Sequence, residues 1–187
     1  MLRNYSLIVL SILVFTGCAM TSHYTSAVSR DDKSAHEHNQ RGNDYFLKGL
    51  YNLAIIEYQK AITLRPLYAK AHSNLGYALF EKMYYDRAIS EFSRAIDIDP
   101  RYAKAYNNRG LVYFAKGEYT RAIHDYNKAI EIDPKLAKPY DNRGAAYMLT
   151  GDEDKACSDF MRACDLGECS SIDMLQDNGF CNLKYLA

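Results

Sequence analysis

The sequence predicts an all-α protein, a right-handed α-solenoid of four helix hairpins followed by a C-terminal capping helix. Two observations carry this prediction: small and aromatic residues recur with a period of 34 residues, and three prolines share one place in that period. The composition agrees, since a chain of 187 residues with 48% hydrophobic and 25% charged residues can bury a core of its own.

Pro66, Pro100 and Pro134 set the register of the repeat. Counting back from them gives repeats at 35–68, 69–102 and 103–136, and a fourth at 137–170 in which Glu168 replaces the proline. Position 8 is always glycine, positions 20 and 27 are always alanine, and position 24 is always aromatic. In that order the residues are Gly42, Gly76, Gly110, Gly144; Ala54, Ala88, Ala122, Ala156; Ala61, Ala95, Ala129, Ala163; and Tyr58, Phe92, Tyr126, Phe160.

This arrangement predicts a hairpin of two helices in each repeat. Two helices approach closely only where the facing residues are small, and a ring then fills the space beside them. Gly49, Gly117 and Gly151 are placed to end the first helix in left-handed geometry, and the prolines to end the second. The last hairpin needs a cover for its apolar face, so residues 171–187 are predicted to form the capping helix and C-terminus.

The 34-residue spacing with these residue types resembles the tetratricopeptide repeat, over about three quarters of the chain. The resemblance implies a protein that binds other proteins and is not an enzyme. This sequence departs from the family pattern at position 4, which is His or Tyr instead of Trp, and at position 7, where Arg often replaces Leu. The residues concerned are His38, His72, Tyr106 and Tyr140, and Arg41, Arg109 and Arg143.

In this family the concave surface is formed mainly by the first helices, and extended peptides bind there. Carried over by position, the resemblance implies a peptide groove that contains Asn39, Asn43, Phe46, Lys70, Asn74, Phe80, Lys104, Asn107, Asn108, Phe114, Lys138 and Asn142. Side-chain amides can pair with an extended backbone, and lysines favour acidic side chains or a terminal carboxylate. Alternatively, these are solvated positions that bind nothing.

Some family members clamp a C-terminal carboxylate with basic residues and asparagines. Asn43, Asn74 and Lys104 match three of the five places of that clamp. Asn39 and Asn108 stand where the clamp carries basic residues, so the match is incomplete.

The first residues differ from the rest of the chain. Leu7 to Phe15 form an apolar run behind Arg3 that is far shorter than the roughly 20 residues of a membrane-spanning helix, which predicts a signal peptide. Phe15-Thr16-Gly17-Cys18 resembles the lipobox of bacterial lipoproteins, which implies a signal peptide over 1–17 and lipidation of Cys18. Alternatively, cleavage follows Ala19 and Cys18 carries no lipid.

Residues 18–34 are then predicted to be the lipidated cysteine and a flexible tether. Ala19 stands where an Asp tends to retain lipoproteins in the inner membrane. The resemblance therefore implies a lipid-anchored protein of the bacterial cell envelope, and it favours the outer membrane, facing the periplasm, over the inner membrane.

Four further cysteines lie in the last quarter of the chain, and disulfides are expected in an oxidising compartment. Cys157 and Cys164 take the places of isoleucines that face the following helix in earlier repeats, but about 10 Å of helical rise separates them. An antiparallel cap would bring Cys181 beside Cys157 and leave Cys164 near Cys169, so these two pairs are predicted. A zinc site or a redox pair is the alternative, although no Cys-x-x-Cys occurs.

Charge and motifs narrow the function. Lys plus Arg and Asp plus Glu balance at 23 each, so no net field attracts nucleic acid. No recognisable catalytic or cofactor motif occurs, and His36 and His38, two apart on a helix, do not share a face for a metal. The resemblance to tetratricopeptide lipoproteins implies an adaptor that recruits a partner protein to an envelope membrane, in cell-envelope assembly, wall remodelling, pilus assembly or secretion. The alternative is a structural envelope protein that self-associates as a homodimer.

Overall fold

A computed structural model of the protein describes residues 31–172 and Cys181. All regular secondary structure in that part of the chain is α-helical, in four consecutive hairpins. The helices are α1 (31–47), α2 (Tyr51–Leu64), α3 (Ala69–Glu81), α4 (Tyr85–Ile98), α5 (Ala103–Ala115), α6 (Tyr119–Ile132), α7 (Ala137–Thr150) and α8 (Glu153–Asp165). Residues 170–172 are helical again. The predicted all-α solenoid is confirmed.

Successive helices pack against each other along the chain, and the first helices α3, α5 and α7 also contact one another directly. The first helices therefore form one layer and the second helices another. Side chains that recur at one position of the first helix are thus aligned along a single face, which is the condition for a continuous binding surface.

The four position-8 glycines let the two helices of each hairpin meet. A Cβ atom at Gly110 would lie 2.7 Å from Cε1 of Tyr126 and 3.2 Å from the Ala122 carbonyl oxygen. Tyr126 has no exposed surface and Ala122 is equally buried, so the ring has no room to move away. The other three glycines meet the aromatic ring of their own hairpin in the same way.

Gly110→Val is accordingly expected to lower the free energy of unfolding by about 1–3 kcal/mol, the usual cost of overpacking a core. Urea denaturation followed by circular dichroism measures the change. Tyr119→Phe, at the partly exposed start of α6, serves as a control in the same hairpin. A valine variant as stable as that control would show that close approach is not required here.

The ends of the helices follow the predicted turn chemistry, with one exception. Gly49, Gly117 and Gly151 have φ of 72°, 76° and 83°, the left-handed geometry that glycine accepts without strain. At the same place in the second hairpin, however, Met83 adopts a φ of 60°. A bulky side chain therefore holds a strained backbone conformation at that turn.

The N-terminal boundary needs a correction. Residues 31–34 are helical, although the sequence analysis assigns them to the tether. Tertiary contacts explain the difference, because the Asp32 carboxylate lies 3.5 Å from the Arg65 guanidinium and Ala35 is completely buried. The predicted signal peptide, Cys18 and the remainder of the tether lie outside the described residues.

Two disulfides occupy the C-terminal end of the solenoid. Cys157 is bonded to Cys181 and Cys164 to Cys169, with Cα atoms 5.3 Å and 4.0 Å apart. These are the two pairs inferred from the sequence. Ile172, only 3% exposed, packs with Phe160 of the last hairpin. The rest of the predicted capping segment, 173–180 and 182–187, lies outside the described residues.

None of the described helices combines the length and the apolar character that a crossing of the bilayer requires.

Candidate functional site

The predicted groove residues lie on the layer of first helices, and their exposure differs. Lys70, Lys104 and Lys138, one from each of the last three repeats, are all exposed. The asparagines Asn43, Asn74, Asn108 and Asn142 are partly buried beside them. Because no carboxylate pairs with any of the three lysines in the described part of the chain, this column carries uncompensated positive charge.

Hydrogen bonds between repeats connect some of the asparagines that line the first helices, a row that we call the asparagine ladder. The Asn74 amide donates to the side-chain oxygens of Asn39 and Asn43, at 2.9 and 3.1 Å. Between repeats 3 and 4, the Asn142 amide donates to the Asn107 side-chain oxygen at 3.0 Å. These side chains join successive repeats, so their hydrogen-bonding capacity is partly used inside the protein.

Asn39 is the clearest departure from the predicted groove. Its side chain is 1% exposed, and its oxygen is the acceptor for Asn74. Asn43 also accepts a hydrogen bond from the Tyr58 hydroxyl at 2.9 Å. The first-repeat end of the ladder is therefore a structural contact between repeats, in which the side-chain oxygens of Asn39 and Asn43 are occupied.

At the junction of repeats 3 and 4, Asn142 is bonded to Asn107, and Asn108 faces a cavity. This cavity of about 390 Å³ is lined by Tyr77, Lys104, Asn107, Asn108, Leu136, Ala137 and Lys138. Asn107 donates to the Asn108 oxygen at 3.2 Å, and within the described residues no hydrogen bond occupies the Asn108 amide hydrogens. The cavity thus presents two ammonium groups, amide donors and one aromatic ring.

A second cavity continues this basic surface. It has a volume of about 510 Å³ and is lined by Lys70, Arg101, Tyr102, Ala103, Lys104, Ile132 and Asp133. Lys104 borders both cavities, so three lysines and Arg101 follow one another along the edge of the first helices. The resulting strip is suited to an extended anionic ligand.

The three phenylalanines of the predicted groove make aromatic contacts near the C-terminal end of the first helices, and most of these ring pairs are tilted or edge-on. The ring of Phe46 lies 5.2 Å from Tyr77 and 5.3 Å from Tyr51, and that of Phe80 lies 6.1 Å from Tyr77. Phe114 lies 5.5 Å from Tyr119, which opens the next helix. These phenylalanines are half-buried, and each contacts the tyrosine that opens the second helix of its own hairpin.

Tyr77 is the site residue that the sequence analysis missed. It lies at position 9 of the second repeat, where repeat 1 has Asn43. Since Asn43 at the same position is among the predicted groove residues, the change from a short amide to an aromatic ring was a detectable signal. Burial raises the pKa of its hydroxyl, so the group stays neutral and remains a hydrogen-bond donor at physiological pH.

The unusual arginines at position 7 are ion-pair partners of carboxylates 16 residues later. Arg109 makes two bonds to Asp125, of 2.7 and 2.9 Å, and a third of 2.9 Å to Ser93 of the preceding repeat. Arg143 pairs with Asp159 by two bonds of 2.7 Å. The arginines therefore join both the helices of a hairpin and successive hairpins.

The first two repeats use histidine for the same purpose. His72 Nδ1 lies 2.8 Å from the Glu91 carboxylate, and Nε2 lies 3.0 Å from the Pro66 carbonyl oxygen. Burial lowers the pKa of His72, but the hydrogen bonds to Glu91 and Pro66 outweigh it, and the net shift is upward. Glu57, in contact with His38, Arg41 and Lys60, has its pKa lowered to about 2, because these hydrogen bonds outweigh the upward effect of burial.

These histidines therefore have structural partners. Among the described residues no group of three His, Cys, Asp or Glu side chains is placed to hold a metal ion. The four C-terminal cysteines are engaged in disulfides.

Stacked helix hairpins with a continuous concave face define the class: a helical-repeat scaffold for protein–protein interaction. The family comparisons agree. Two family models described as Tetratricopeptide repeat match residues 103–136 and 137–166, and a third, described as TPR repeat, matches residues 42–82 and 84–117. The chain belongs to the tetratricopeptide-repeat family, whose members are generally non-enzymatic scaffolds.

Solved structures of similar fold include a crystal structure of MamA, 33% identical, which covers 80% of this chain and 87% of that chain with a TM-score of 0.65. The first TPR of Spaghetti (RPAP3), bound to the HSP90 peptide SRMEEVD, is 26% identical and covers 64% and 95%, with a TM-score of 0.62. A TPR protein of Thermus thermophilus, 22% identical, covers 71% and 74% with a TM-score of 0.66 and shares the fold. The comparison with curated proteins finds no match.

Proposed function

We propose that the protein is an adaptor, anchored to an envelope membrane through Cys18, whose groove binds an acidic extended segment of a partner protein. The observation that carries the proposal is the cavity that brings Lys104, Asn108, Lys138 and Tyr77 together on the open face of the first helices. The family supports a protein-binding role, and the residues that line the groove indicate the kind of ligand that would bind there.

The chemistry of the cavity favours an acidic ligand. Two ammonium groups attract carboxylates, and the Asn108 amide can donate to a backbone carbonyl of an extended chain. Tyr77 offers a flat apolar surface with a polar end, a combination common where proteins bind peptides. The basic cavity beside Lys70 and Arg101 lengthens this strip, so the segment would extend over at least two repeats.

Comparison with a ligand-bound relative supports this choice of ligand. The Spaghetti domain is bound to the peptide SRMEEVD, in which three of seven residues are acidic. The present chain differs in detail, because Asn39 is buried and Asn74 is engaged with it. We therefore place the centre of binding in repeats 3 and 4, at Lys104, Asn108 and Lys138.

The anchor is the second part of the proposal. Its support is the sequence Phe15-Thr16-Gly17-Cys18 behind an apolar run, together with the four disulfide-bonded cysteines, which suit an oxidising compartment. We place the protein on the outer membrane, facing the periplasm, where it would hold its partner for envelope assembly, wall remodelling, pilus assembly or secretion. Mass spectrometry of the Cys18 peptide tests the lipid directly.

The groove is tested by affinity capture from envelope extract with the full chain. Lys104→Glu combined with Asn108→Ala is expected to lose the partner that the native chain captures, a loss of at least tenfold in affinity, or about 1.4 kcal/mol. The control variant carries Lys128→Glu and Gln59→Ala on second helices, where Gln59 is exposed and the Lys128 side chain is 44% exposed. Equal capture by the groove variant and the control would contradict the assignment of the groove.

Self-association is the competing function, and static light scattering of the purified protein separates the two. An adaptor is expected to be monomeric with its groove free. A dimer whose assembly is disrupted by the groove variant would show instead that the groove binds a second copy of the chain.

A further inference from the structure

The loop end of the first two hairpins carries apolar side chains in solvent. Leu47 is 84% exposed at the end of α1, and Met83 is 74% exposed in the turn after α3. We call this surface the apolar tip: Leu47, Leu50, Leu53, Ile56, Met83 and Tyr84. Each of these side chains is at least 43% exposed.

The repeat itself shows that the tip is not a requirement of the fold. At positions 16, 19 and 22 the first hairpin has Leu50, Leu53 and Ile56. The third hairpin has Glu118, Arg121 and His124 at these positions, and the fourth has Asp152, Lys155 and Ser158. The same backbone thus accepts polar residues there, as the solvent-facing side of a hairpin normally carries.

Met83 adds an independent observation. It stands at the turn position where the other three hairpins have glycine, with a left-handed φ of 60°. Strained conformations of this kind persist only where the surrounding structure imposes them, and they cluster at functional sites. At this turn the apolar side chain of Met83 is 74% exposed.

Two lysines and a tyrosine lie beside the tip, and so in sequence do Asp44, Glu81 and Asp86, of which Asp86 pairs with Lys116. Lys48 and Lys82 flank the tip and form no ion pair among the described residues, and Tyr84 contributes an amphipathic ring. A cleft of about 410 Å³ between the two turns is lined by Gly49, Leu50, Tyr51, Asn52, Leu53 and Lys82. Apolar tips with flanking cations and tyrosine suit the boundary between lipid headgroups and acyl chains.

The chain outside the described part is long enough to bring the tip to the bilayer. Cys18 precedes Asp31 by 13 residues, which reach at most about 45 Å when extended. The 17 described residues of α1 rise about 25 Å between that point and the tip. A protein anchored at Cys18 can therefore lay the tip on the membrane that holds it.

We infer that the apolar tip of the first two hairpins is a second membrane contact, which inserts shallowly into an anionic lipid surface. The inference rests on the proposed anchor only for bringing the chain to the membrane. A protein held to the membrane at two separate points, the lipid at Cys18 and the apolar tip, has a fixed orientation. The lipid alone would leave the protein free to rotate. The second positions of the first helices, with Lys104 and Lys138, lie at the opposite end of those helices, so the basic groove would face away from the lipid.

The chain contains no tryptophan, so a single introduced Trp reports its own surroundings. Leu50→Trp is compared with Glu118→Trp, the same position in the third hairpin. The full chain is isolated from the membranes of expressing cells and reconstituted in vesicles of phosphatidylethanolamine and phosphatidylglycerol. Emission of the Trp at position 50 is expected to shift to the blue and to be largely quenched by brominated lipid. That at position 118 should show neither change.

The anchor is assayed separately by the mass of the Cys18 peptide. If the mature chain carries no lipid at Cys18, it is attached to the same vesicles through a C-terminal histidine tag on a nickel-chelating lipid, so the tip is tested either way. Equal, weak quenching at positions 50 and 118 in vesicle-bound protein would overturn the membrane contact while leaving the anchor intact. A blue-shifted, unquenched Trp at position 50 in a protein of doubled mass would overturn it in favour of a second copy.

Discussion

Arg109→Leu is expected to lower the free energy of unfolding by about 3–5 kcal/mol, the cost of leaving a buried charge without its partner. Asp125 is 2% exposed, and the Arg109 guanidinium supplies both of its short hydrogen bonds. The change also removes the contact with Ser93 of the preceding repeat. Urea denaturation followed by circular dichroism measures the loss.

Two comparisons separate this effect from the simple loss of an arginine. Lys128→Leu removes an exposed partner of Glu131 in the same hairpin and should change stability by no more than about 1 kcal/mol. The double variant with Asp125→Leu should recover much of the loss, since the second repeat already buries Leu75 at the arginine position, 4% exposed. If Arg109→Leu and Lys128→Leu were equally stable, the pair would be shown to contribute little.

Removing the disulfide between Cys157 and Cys181 by changing both residues to alanine is expected to cost about 3 kcal/mol. The bond closes a loop with a sequence separation of 24 and ties the end of the chain to α8. Because repeats are stabilised mainly by their neighbours, the loss should concentrate in the last hairpin. Hydrogen exchange should therefore accelerate in α7 and α8 well before α3 and α4.

The second disulfide provides the matched control. Cys164 and Cys169 are separated by only 5 residues, so the same change there should cost about 2 kcal/mol. A larger loss from the short loop than from the long one would contradict the view that these bonds act chiefly by restricting the unfolded chain.

The fold could be predicted because each hairpin depends on few, short-range requirements. Gly110 must be small because Tyr126 lies against it, and both recur at fixed positions in every repeat. The cysteine pairs followed from the same register, since Cys157 and Cys164 occupy places that face the next helix. These contacts depend on spacing along the chain, which a sequence shows directly.

The groove could be predicted only in part, because its chemistry depends on which polar groups bond to one another. Asn39 and Asn108 looked alike as asparagines on the first helices, yet Asn39 is buried as an acceptor for Asn74. Asn39 is buried because it bonds to a residue of the next repeat, 35 residues away in the sequence. The ion pair of Arg109 was recognisable in the sequence only from the Asp125 carboxylate, 16 residues later.

The central claim, that the basic groove binds an acidic segment, is tested most directly by exchanging charges across the interface. The affinity of the captured partner's segment is measured by titration calorimetry, with native and Lys104→Glu protein, and with an acidic residue of the segment changed to lysine. Each single change should weaken binding at least tenfold, and the two together should restore much of it. If Lys104→Glu left the affinity for the native segment unchanged, the proposed groove would be contradicted.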